Sequence, residues 1–534
     1  FNLHMLMVWL PKPHILDLRS LALLRILLGF TQLYDVHCRL CNGKYDLAWY
    51  TSYPANRSYE SHDIIEESNY LLPSILPIIF KRRSVEAEMM HFGVYTLLSL
   101  CLIVGFKARW ILPVMWLMCS AHQAKANTLG DGSDLLLLQL LLFMSFLPTS
   151  KVWSVDAYLH KKNSTVNAHQ DYQVKSVACL CLTLQIVMMY LGCFFSRTFD
   201  DFTLSELVQG DVSDWMWPEY SLVHYAANGS GVHKSLISDI IRTTPMLNKV
   251  MTFSGFCIET ISPVICLLFN QRYSHWGAIP LILLHFGIGQ IINIPHWVQL
   301  GCIIQVVWIP THIWDRLLGK SPSITKERGP VDSQPLDIQQ EMGNAFSCFL
   351  LYLLIATWCA SRGWLPSAWD PTEMAQNYGF ENSSWDMWTG APRESPFTMI
   401  VGKRPVENPN SKSKVTWERL NLYRFIKTME EVPFEGFSDD VLDRYTYQYP
   451  TTRWEKGIGD EWETYLPGLV KSMGEALCNM VNEDLVKKGS RPISSIDFLL
   501  HYREILPSGS KTRWSDDDSD TSSIRQIVCP LVTA

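Results

Sequence analysis

Ionisable side chains inside long apolar stretches are the first candidates for chemistry in this sequence. The candidates that stand in or beside such stretches are Arg25, Arg197, Glu259 and His285. A charged group within a membrane is costly, so an ionisable residue there is by default a candidate for ligand binding or proton transfer. Of these types, Glu and His can exchange a proton near neutral pH when their surroundings shift the pKa, whereas Arg keeps its proton.

Each of these residues also has a purely structural interpretation. Arg197 ends its apolar stretch and could extend its guanidinium to the membrane surface. Arg25 and Glu259 could form a structural ion pair, and His285 could be a hydrogen-bonded histidine of the core. The sequence contains no H-E-x-x-H, G-x-S-x-G or P-loop signature, so spacing alone predicts no metal site, no activated serine and no phosphate site.

The cysteines indicate two local features. Cys38 and Cys41 form a C-x-x-C without a second pair or a histidine cluster, which favours a local disulfide or two thiols over a metal or redox site. Cys478 and Cys529 lie in the polar C-terminal part and could pair in an oxidising compartment. The other ten lie in apolar runs, where a cysteine acts as a small buried hydrophobe.

The elements that must position these residues are membrane-spanning helices. The 534 residues are 48% apolar and only 18% charged, and the net charge of −7 excludes the basic surface that nucleic-acid binding requires. A span needs about 20 apolar residues, and residues 1–363 hold nine candidate runs, whereas 364–534 hold none. The runs are 16–34, 89–106, 109–122, 134–148, 176–195, 250–269, 276–294, 297–310 and 346–362.

We therefore predict a mostly α-helical, polytopic bundle of about nine helices over 1–363, with the lipid bilayer as its first partner. The positions of Lys and Arg favour a cytoplasmic N-terminus, and nine spans then make the C-terminal part lumenal. Three glycosylation sequons, at Asn56, Asn228 and Asn382, fall on the lumenal side of this topology, and one, at Asn163, falls on the cytoplasmic side. The endoplasmic reticulum or another endomembrane is the expected location.

The polar C-terminal part predicts a separate mixed α/β lumenal domain over 364–507. Apolar positions at helical spacing predict a helix over 461–488 that Gly489 ends. Short apolar stretches at 397–401, 445–449 and 493–500 predict strands. Residues 508–534 are predicted to form an acidic, disordered tail because of the run of aspartates that begins at Asp516.

Several short motifs follow one another along residues 16–505. They are Arg25-Ile-Leu-Leu-Gly29 with Asp35 and Arg39; Asn127 before Gly132-Ser133-Asp134; Val152-Trp153-Ser154-Val155-Asp156-Ala157; Gln185 with Tyr190; Glu259; and Trp385-Asp-Met387-Trp388-Thr-Gly-Ala-Pro392. In this order they resemble the HTTM (horizontally transferred transmembrane) domain, the membrane part of the vitamin K-dependent gamma-carboxylase family.

The resemblance implies a membrane enzyme that oxidises vitamin K hydroquinone with O2. The strong base so formed removes a gamma proton from a peptide or protein Glu on the lumenal side, and CO2 adds to the carbanion. The family's motif Y-x-x-x-G-x-x-K supplies a neutral Lys as the first base. Here the stretch from Tyr190 reaches Arg197 at the position of that Lys, and Ser133 stands at the position of a histidine that the animal enzyme uses.

Both groups expected to move protons are therefore replaced. Arg197 and Ser133 mark the catalytic positions, and the expected cavity residues are Arg25, Asp134, Tyr190, Glu259 and His285. Arg keeps its proton, and a fixed cation can hold an anionic head group or a carboxylate. The sequence therefore favours a relative that binds a quinone, a lipid or a partner in the bundle without carboxylating glutamate.

Two alternatives stay open. The first is an active enzyme, either a gamma-glutamyl carboxylase-like lyase that uses vitamin K hydroquinone with O2 and CO2, or an enzyme that oxidises another quinone. The second is a transporter, which is weaker because the sequence has neither internal repeats nor matching broken helices in its two halves.

Overall fold

The computed structural model describes most of the apolar part of the chain and about half of the C-terminal part. The described residues are 15–41, 45–46, 85–125, 132–163, 172–198, 220–228, 236–269, 272–292, 294–319, 338–362, 364–372, 394–406, 416–434, 467–504, 513–514 and 522–529. The sequons at Asn56 and Asn382, the motif residue Asn127 and the stretches 385–392 and 445–449 lie outside them.

The described residues of the apolar part form helices and one small two-stranded ladder. The strands β1 (Ile15–Asp17) and β2 (Gln173–Lys175) pair antiparallel. The helices are α1 (Leu18–Leu40), α2 (Val85–Val104), α3 (Ala108–Lys125), α4 (Gly132–Met144), α5 (Val155–Asn163), α6 (Val177–Thr198), α7 (Leu222–Asn228), α8 (Leu236–Thr243), α9 (Pro245–Leu268), α10 (Ser274–Ile291), α11 (Pro295–Ile303, extended by a 3₁₀ turn, Ile304–Trp308), α12 (Thr311–Leu317) and α13 (Ile338–Ser361).

The protein is mostly helical and membrane-embedded. Four helices are long and apolar enough to cross a membrane, and they lie in α2, α6, α9 and α13. Each of the other five predicted runs also contains a helix, but those helices are shorter or more polar. Nine spans therefore stay a prediction, whereas a polytopic helical bundle is what the described residues form.

The distribution of polar side chains is reversed relative to a soluble protein. On α9 the protein leaves one apolar face uncovered: Met246, Val250, Phe253, Ile261, Val264 and Leu268. The opposite face of the same helix buries Asn248, Thr252, Glu259 and Ser262. Lipid offers no hydrogen bonds, so polar groups must find partners inside the bundle while apolar groups face outward.

Contacts along α1 fix the direction of its neighbour. Arg25 donates to the carbonyl of Ile103 at 2.8 Å, near the C-terminal end of α2. Two turns further along α1, Gln32 accepts a hydrogen bond from Tyr95, in the first half of α2. Residues nearer the C-terminal end of α1 therefore contact residues nearer the N-terminal end of α2. The two helices are therefore antiparallel, as consecutive spans joined by one extramembrane loop would be.

The C-terminal part contains one antiparallel sheet with helices packed on it. The strands are β3 (Glu394–Val406), β4 (Thr416–Asn421), β5 (Ser495–Glu504), β6 (Arg513–Trp514) and β7 (Ser522–Val528), in the order β4-β3-β5, and β6 and β7 pair along the far side of β5. The helices are α14 (Leu422–Thr428) and α15 (Pro467–Lys487). The predicted mixed α/β character is present, and Gly489, with φ of +75°, follows the end of α15 as expected.

The prediction of a disordered tail is wrong for residues 522–529, which are ordered. Strand β7 pairs with β5 through the register Ile496↔Ile527, and Ile527 is buried. Directly after β7, Cys529 forms a disulfide with Cys478 of α15, as the cysteine positions suggested. A run of aspartates precedes this strand in the sequence. At the end of β7, Ile527 faces the core while its neighbours Gln526 and Val528 are exposed. Residues 522–528 therefore belong to the sheet.

A buried hydrogen bond joins the two parts of the chain. The hydroxyl of Tyr45, just after α1, donates to Asp484 of α15 at 2.7 Å, and both residues are buried. Burial, reinforced by the Asp484 carboxylate, raises the pKa of the Tyr45 hydroxyl far above its ordinary value. Tyr45 therefore stays a neutral donor, and the C-terminal part lies on the side of the bundle where α1 ends.

The disulfide should hold the C-terminal sheet and α15 together. Replacing Cys478 by Ser should lower the free energy of unfolding of this part by about 2–4 kcal/mol, because the bridge restricts the unfolded chain. Thermal unfolding of the purified protein with and without reductant measures the effect. The variant Cys41→Ser is the matched control and should leave the sensitivity to reductant unchanged. Alkylation of Cys478 and Cys529 in the unreduced protein would contradict the pairing.

Candidate functional site

An ion pair between α6 and α9 is the centre of the candidate site. Nη1 of Arg197, in the last turn of α6, donates to both carboxylate oxygens of Glu259 at 2.7 Å. Only 11% of the Arg197 side chain and 5% of the Glu259 side chain are exposed. Arg197 therefore turns inward, and its guanidinium does not extend to the membrane surface.

A largely apolar cavity of about 270 Å³ adjoins this ion pair. Helices α7, α9 and α10 supply most of the lining, and Trp297 of α11 closes one side. The two charged side chains of the lining are Arg197 and Glu259 themselves. The volume is slightly below the roughly 300–1,000 Å³ of typical small-molecule sites, which are likewise apolar with a few placed polar groups.

A second group of predicted residues lies beside the first. The hydroxyl of Tyr190 and Nε2 of His285 are 2.7 Å apart, and Nε2 of Gln305 donates to the same hydroxyl at 2.7 Å. Gly301 makes room for the imidazole, because a Cβ there would come within 2.4 Å of its ring atoms. One ring nitrogen of His285, Nε2, is therefore hydrogen-bonded, whereas the other, Nδ1, is buried and has no hydrogen-bond partner in the structure.

The predicted residues Ser133 and Asp134, at the start of α4, belong to a third group. Ser133 Oγ lies 2.8 Å from Nδ1 of His296, and Asp134 accepts from Arg39 at 2.7 Å. Arg39 also donates to Asp35, one turn earlier on α1, at 2.6 Å. The polar residues of α1 and α4 that the motif analysis singled out are therefore in direct contact.

The first turn of α11 connects the three groups. His296 contacts Ser133, and the next residue, Trp297, lines the cavity. The indole of Trp297 also stands edge-on to His285, with the ring centroids 6.1 Å apart. Pro295 starts this helix, which fits a first helical position that needs no backbone donor. One short helix thus contacts Ser133 and His285 and also lines the cavity beside the Arg197–Glu259 pair.

Arg25 is separate from the site. Its guanidinium donates to the backbone carbonyls of residues 102, 103, 149 and 153, at the opposite end of α1 from Arg39. The Arg25–Glu259 ion pair that was a structural alternative is not formed, because Glu259 is bound to Arg197. Gly105, with φ of +70°, lets the chain pass close to the guanidinium, since a Cβ there would lie 2.7 Å from Nη1 of Arg25. Arg25 therefore joins helix ends and does not line the cavity.

Cys41 of the C-x-x-C motif is not a reactive thiol. Cys38 and Cys41 are not joined by a disulfide. Partial desolvation, followed by the nearby Asp46 carboxylate, raises the pKa of the Cys41 thiol to about 11. A thiol with such a pKa is protonated at neutral pH and is a poor nucleophile.

Sequence reasoning missed three partners: His296, Trp297 and Gln305. They lie on α11 and its 3₁₀ extension, far along the chain from Ser133 and Tyr190. The only local signal was a histidine at the start of a short apolar run, which more often is an ordinary interfacial residue. Asp35 and Arg39 did carry a signal, because their spacing of one helical turn places both on the same face.

No family model, no curated protein and no solved structure matches this chain. The resemblance to the gamma-carboxylase family therefore stays a prediction.

The Arg197–Glu259 pair makes a testable contribution to stability. Replacing Glu259 by Gln should lower the free energy of unfolding by about 3–5 kcal/mol, because the change leaves the buried guanidinium without its counter-charge. The double variant Arg197→Met with Glu259→Leu should recover most of this loss, since no isolated charge remains. Reversible denaturation in mixed micelles provides the measurement.

The exposed pair Lys487–Glu483 on α15 is the matched control. Glu483→Gln makes the same chemical change at a solvated site and should leave stability nearly unchanged. An equal effect of both Glu→Gln changes would refute the role assigned to Glu259.

Proposed function

We propose that this chain is a membrane protein related to vitamin K-dependent gamma-carboxylase that binds a quinone or lipid in the cavity beside Arg197 and does not carboxylate peptide glutamate. The observation that carries the proposal is the pairing of Arg197 with Glu259 on the wall of that cavity.

The charge state of Arg197 opposes its use as a base. A lysine in an apolar site can lose its proton, because burial disfavours the ammonium form. Arginine keeps its proton in proteins, and a carboxylate that touches the guanidinium at 2.7 Å stabilises the charged form further. Proton abstraction from a hydroquinone therefore has no acceptor at this position.

The same pair indicates which ligands suit the cavity. Arg197 and Glu259 neutralise each other, so the cavity wall offers an anionic head group no uncompensated cation. An uncharged ligand with a carbonyl or hydroxyl group can hydrogen-bond to the edge of the pair while its apolar part contacts the aliphatic lining. A volume of about 270 Å³ accommodates one ring system or one segment of a lipid chain.

We also propose that the bundle has nine spans, that its N-terminus is cytoplasmic and that the C-terminal α/β part is lumenal in an endomembrane such as the endoplasmic reticulum. The antiparallel contact of α1 with α2 supports alternating spans. The Cys478–Cys529 disulfide supports an oxidising compartment for the C-terminal part. The Tyr45–Asp484 hydrogen bond supports placing the end of α1 on the same side.

The absence of carboxylation is directly testable. Purified protein given vitamin K hydroquinone, O2 and labelled CO2 should fix no label into a glutamate-containing peptide above the blank without hydroquinone. The reason is that Arg197 and Ser133 replace the expected proton-transfer residues. Label fixed by the unmodified chain would overturn the proposal.

A gain-of-function variant sharpens this test. Arg197→Lys together with Ser133→His restores both family residues, and any label it fixes would show that the remaining geometry can support the reaction. Arg197→Gln with Ser133→Ala is the matched control, because it removes the same two side chains without supplying a base.

Glycan mapping tests the proposed topology. In a eukaryotic host, the mobility shift caused by deglycosylation should disappear in the triple variant Asn56→Gln, Asn228→Gln and Asn382→Gln, and it should persist in Asn163→Gln. Glycosylation machinery is lumenal, and Asn163, which ends α5, is cytoplasmic in this topology. A glycan attached to Asn163 would reverse the proposed orientation.

A further inference from the structure

Three buried side chains from three different helices form a potential set of metal ligands near the C-terminal end of α1 and the N-terminal end of α4. They are Asp35 of α1, Asp134 of α4 and His296 of α11, and one ligand atom from each lies within 4.8 Å of the others. Their exposed fractions are 5%, 2% and 7%. Buried carboxylates are expensive unless charge or hydrogen bonds compensate them, so this grouping needs an explanation.

Arg39 explains part of the cluster. Its Nε donates to Asp35 Oδ2 at 2.6 Å and its Nη2 donates to Asp134 Oδ1 at 2.7 Å. A carboxylate has about four lone-pair sites, so a carboxylate that accepts hydrogen bonds can also bind a metal ion. Arg39 therefore orients the two carboxylates.

His296 supplies an independent observation. Its Nδ1 lies 2.8 Å from Ser133 Oγ, whereas its Nε2 is buried and has no hydrogen-bond partner in the structure. When Ser133 accepts from Nδ1–H, the ring is fixed in the tautomer that leaves a lone pair on Nε2. A hydrogen bond from the far nitrogen is the usual way in which proteins orient a metal-bound histidine.

We propose that Asp35, Asp134 and His296 bind one divalent first-row transition-metal ion, with Arg39 and Ser133 as orienting residues. Two carboxylate oxygens and one imidazole nitrogen suit Mn²⁺, Fe²⁺, Co²⁺ or Zn²⁺. Three protein ligands leave further coordination positions open, which is typical of metal sites that bind a small ligand. The ligands lie far apart in sequence, which explains why no spacing motif indicated them.

Cobalt binding tests this proposal on the full-length purified protein. We expect one Co²⁺ per chain by elemental analysis, with a visible spectrum of oxygen and nitrogen coordination and without the charge-transfer band of a thiolate. Zn²⁺ should displace the Co²⁺. Asp134→Asn and His296→Gln should abolish binding, whereas Ser133→Ala, which keeps all three ligands, should weaken it about 10–100-fold.

Two controls keep the test decisive. His285→Gln removes another buried histidine with an unpartnered ring nitrogen and should leave Co²⁺ affinity unchanged. The double variant Cys38→Ser with Cys41→Ser should also bind normally. The proposal is overturned if the unmodified protein binds no Co²⁺. It is also overturned if the folded variant His296→Gln or Ser133→Ala binds Co²⁺ with the affinity of the unmodified protein, or if the cysteine variant no longer binds the ion.

Discussion

A charge enclosed by helices in a membrane has to find its partner within the protein, because lipid supplies neither counter-ions nor hydrogen bonds. Three arginines of the bundle illustrate how this constraint is met. Arg25 uses backbone carbonyls at helix ends, Arg39 joins two aspartates, and Arg197 takes the Glu259 carboxylate. These contacts also determine which helices meet, since each joins segments that are distant in sequence. The polar interior is thus both the scaffold of the bundle and the place where function can reside.

Whether position 197 holds lysine or arginine decides whether a buried cation there can give up its proton. Lysine and arginine carry the same charge in water, but burial and a nearby carboxylate separate their behaviour, because only lysine can lose its proton within an accessible range. The Arg197–Glu259 pair is consequently a fixed, neutral polar feature on the wall of an apolar cavity. That combination fits the recognition of an uncharged quinone or lipid better than it fits proton transfer.

Much of the helical part could be predicted from sequence, because apolar runs at this length leave few alternatives to helices. The partners of the charged residues could not be predicted from sequence. Which side chains meet depends on the rotation of each helix about its own axis in the bundle. Sequence therefore identified Arg197, Glu259 and Ser133 but missed the contact between Ser133 and His296. Strand β7 was missed for another reason: a run of aspartates precedes it, and composition alone cannot reveal a strand pinned by a disulfide.

Native mass spectrometry of the protein as purified from its membrane would show directly whether the cavity beside Arg197 holds a ligand. We expect one uncharged quinone or lipid per chain, retained in detergent and lost when Gly287→Phe fills the cavity, whereas the same change at Gly93, which has open space around it, leaves the ligand in place. A bound species that is anionic, or a lipid content that matches the bulk membrane and does not respond to filling the cavity, would contradict this expectation.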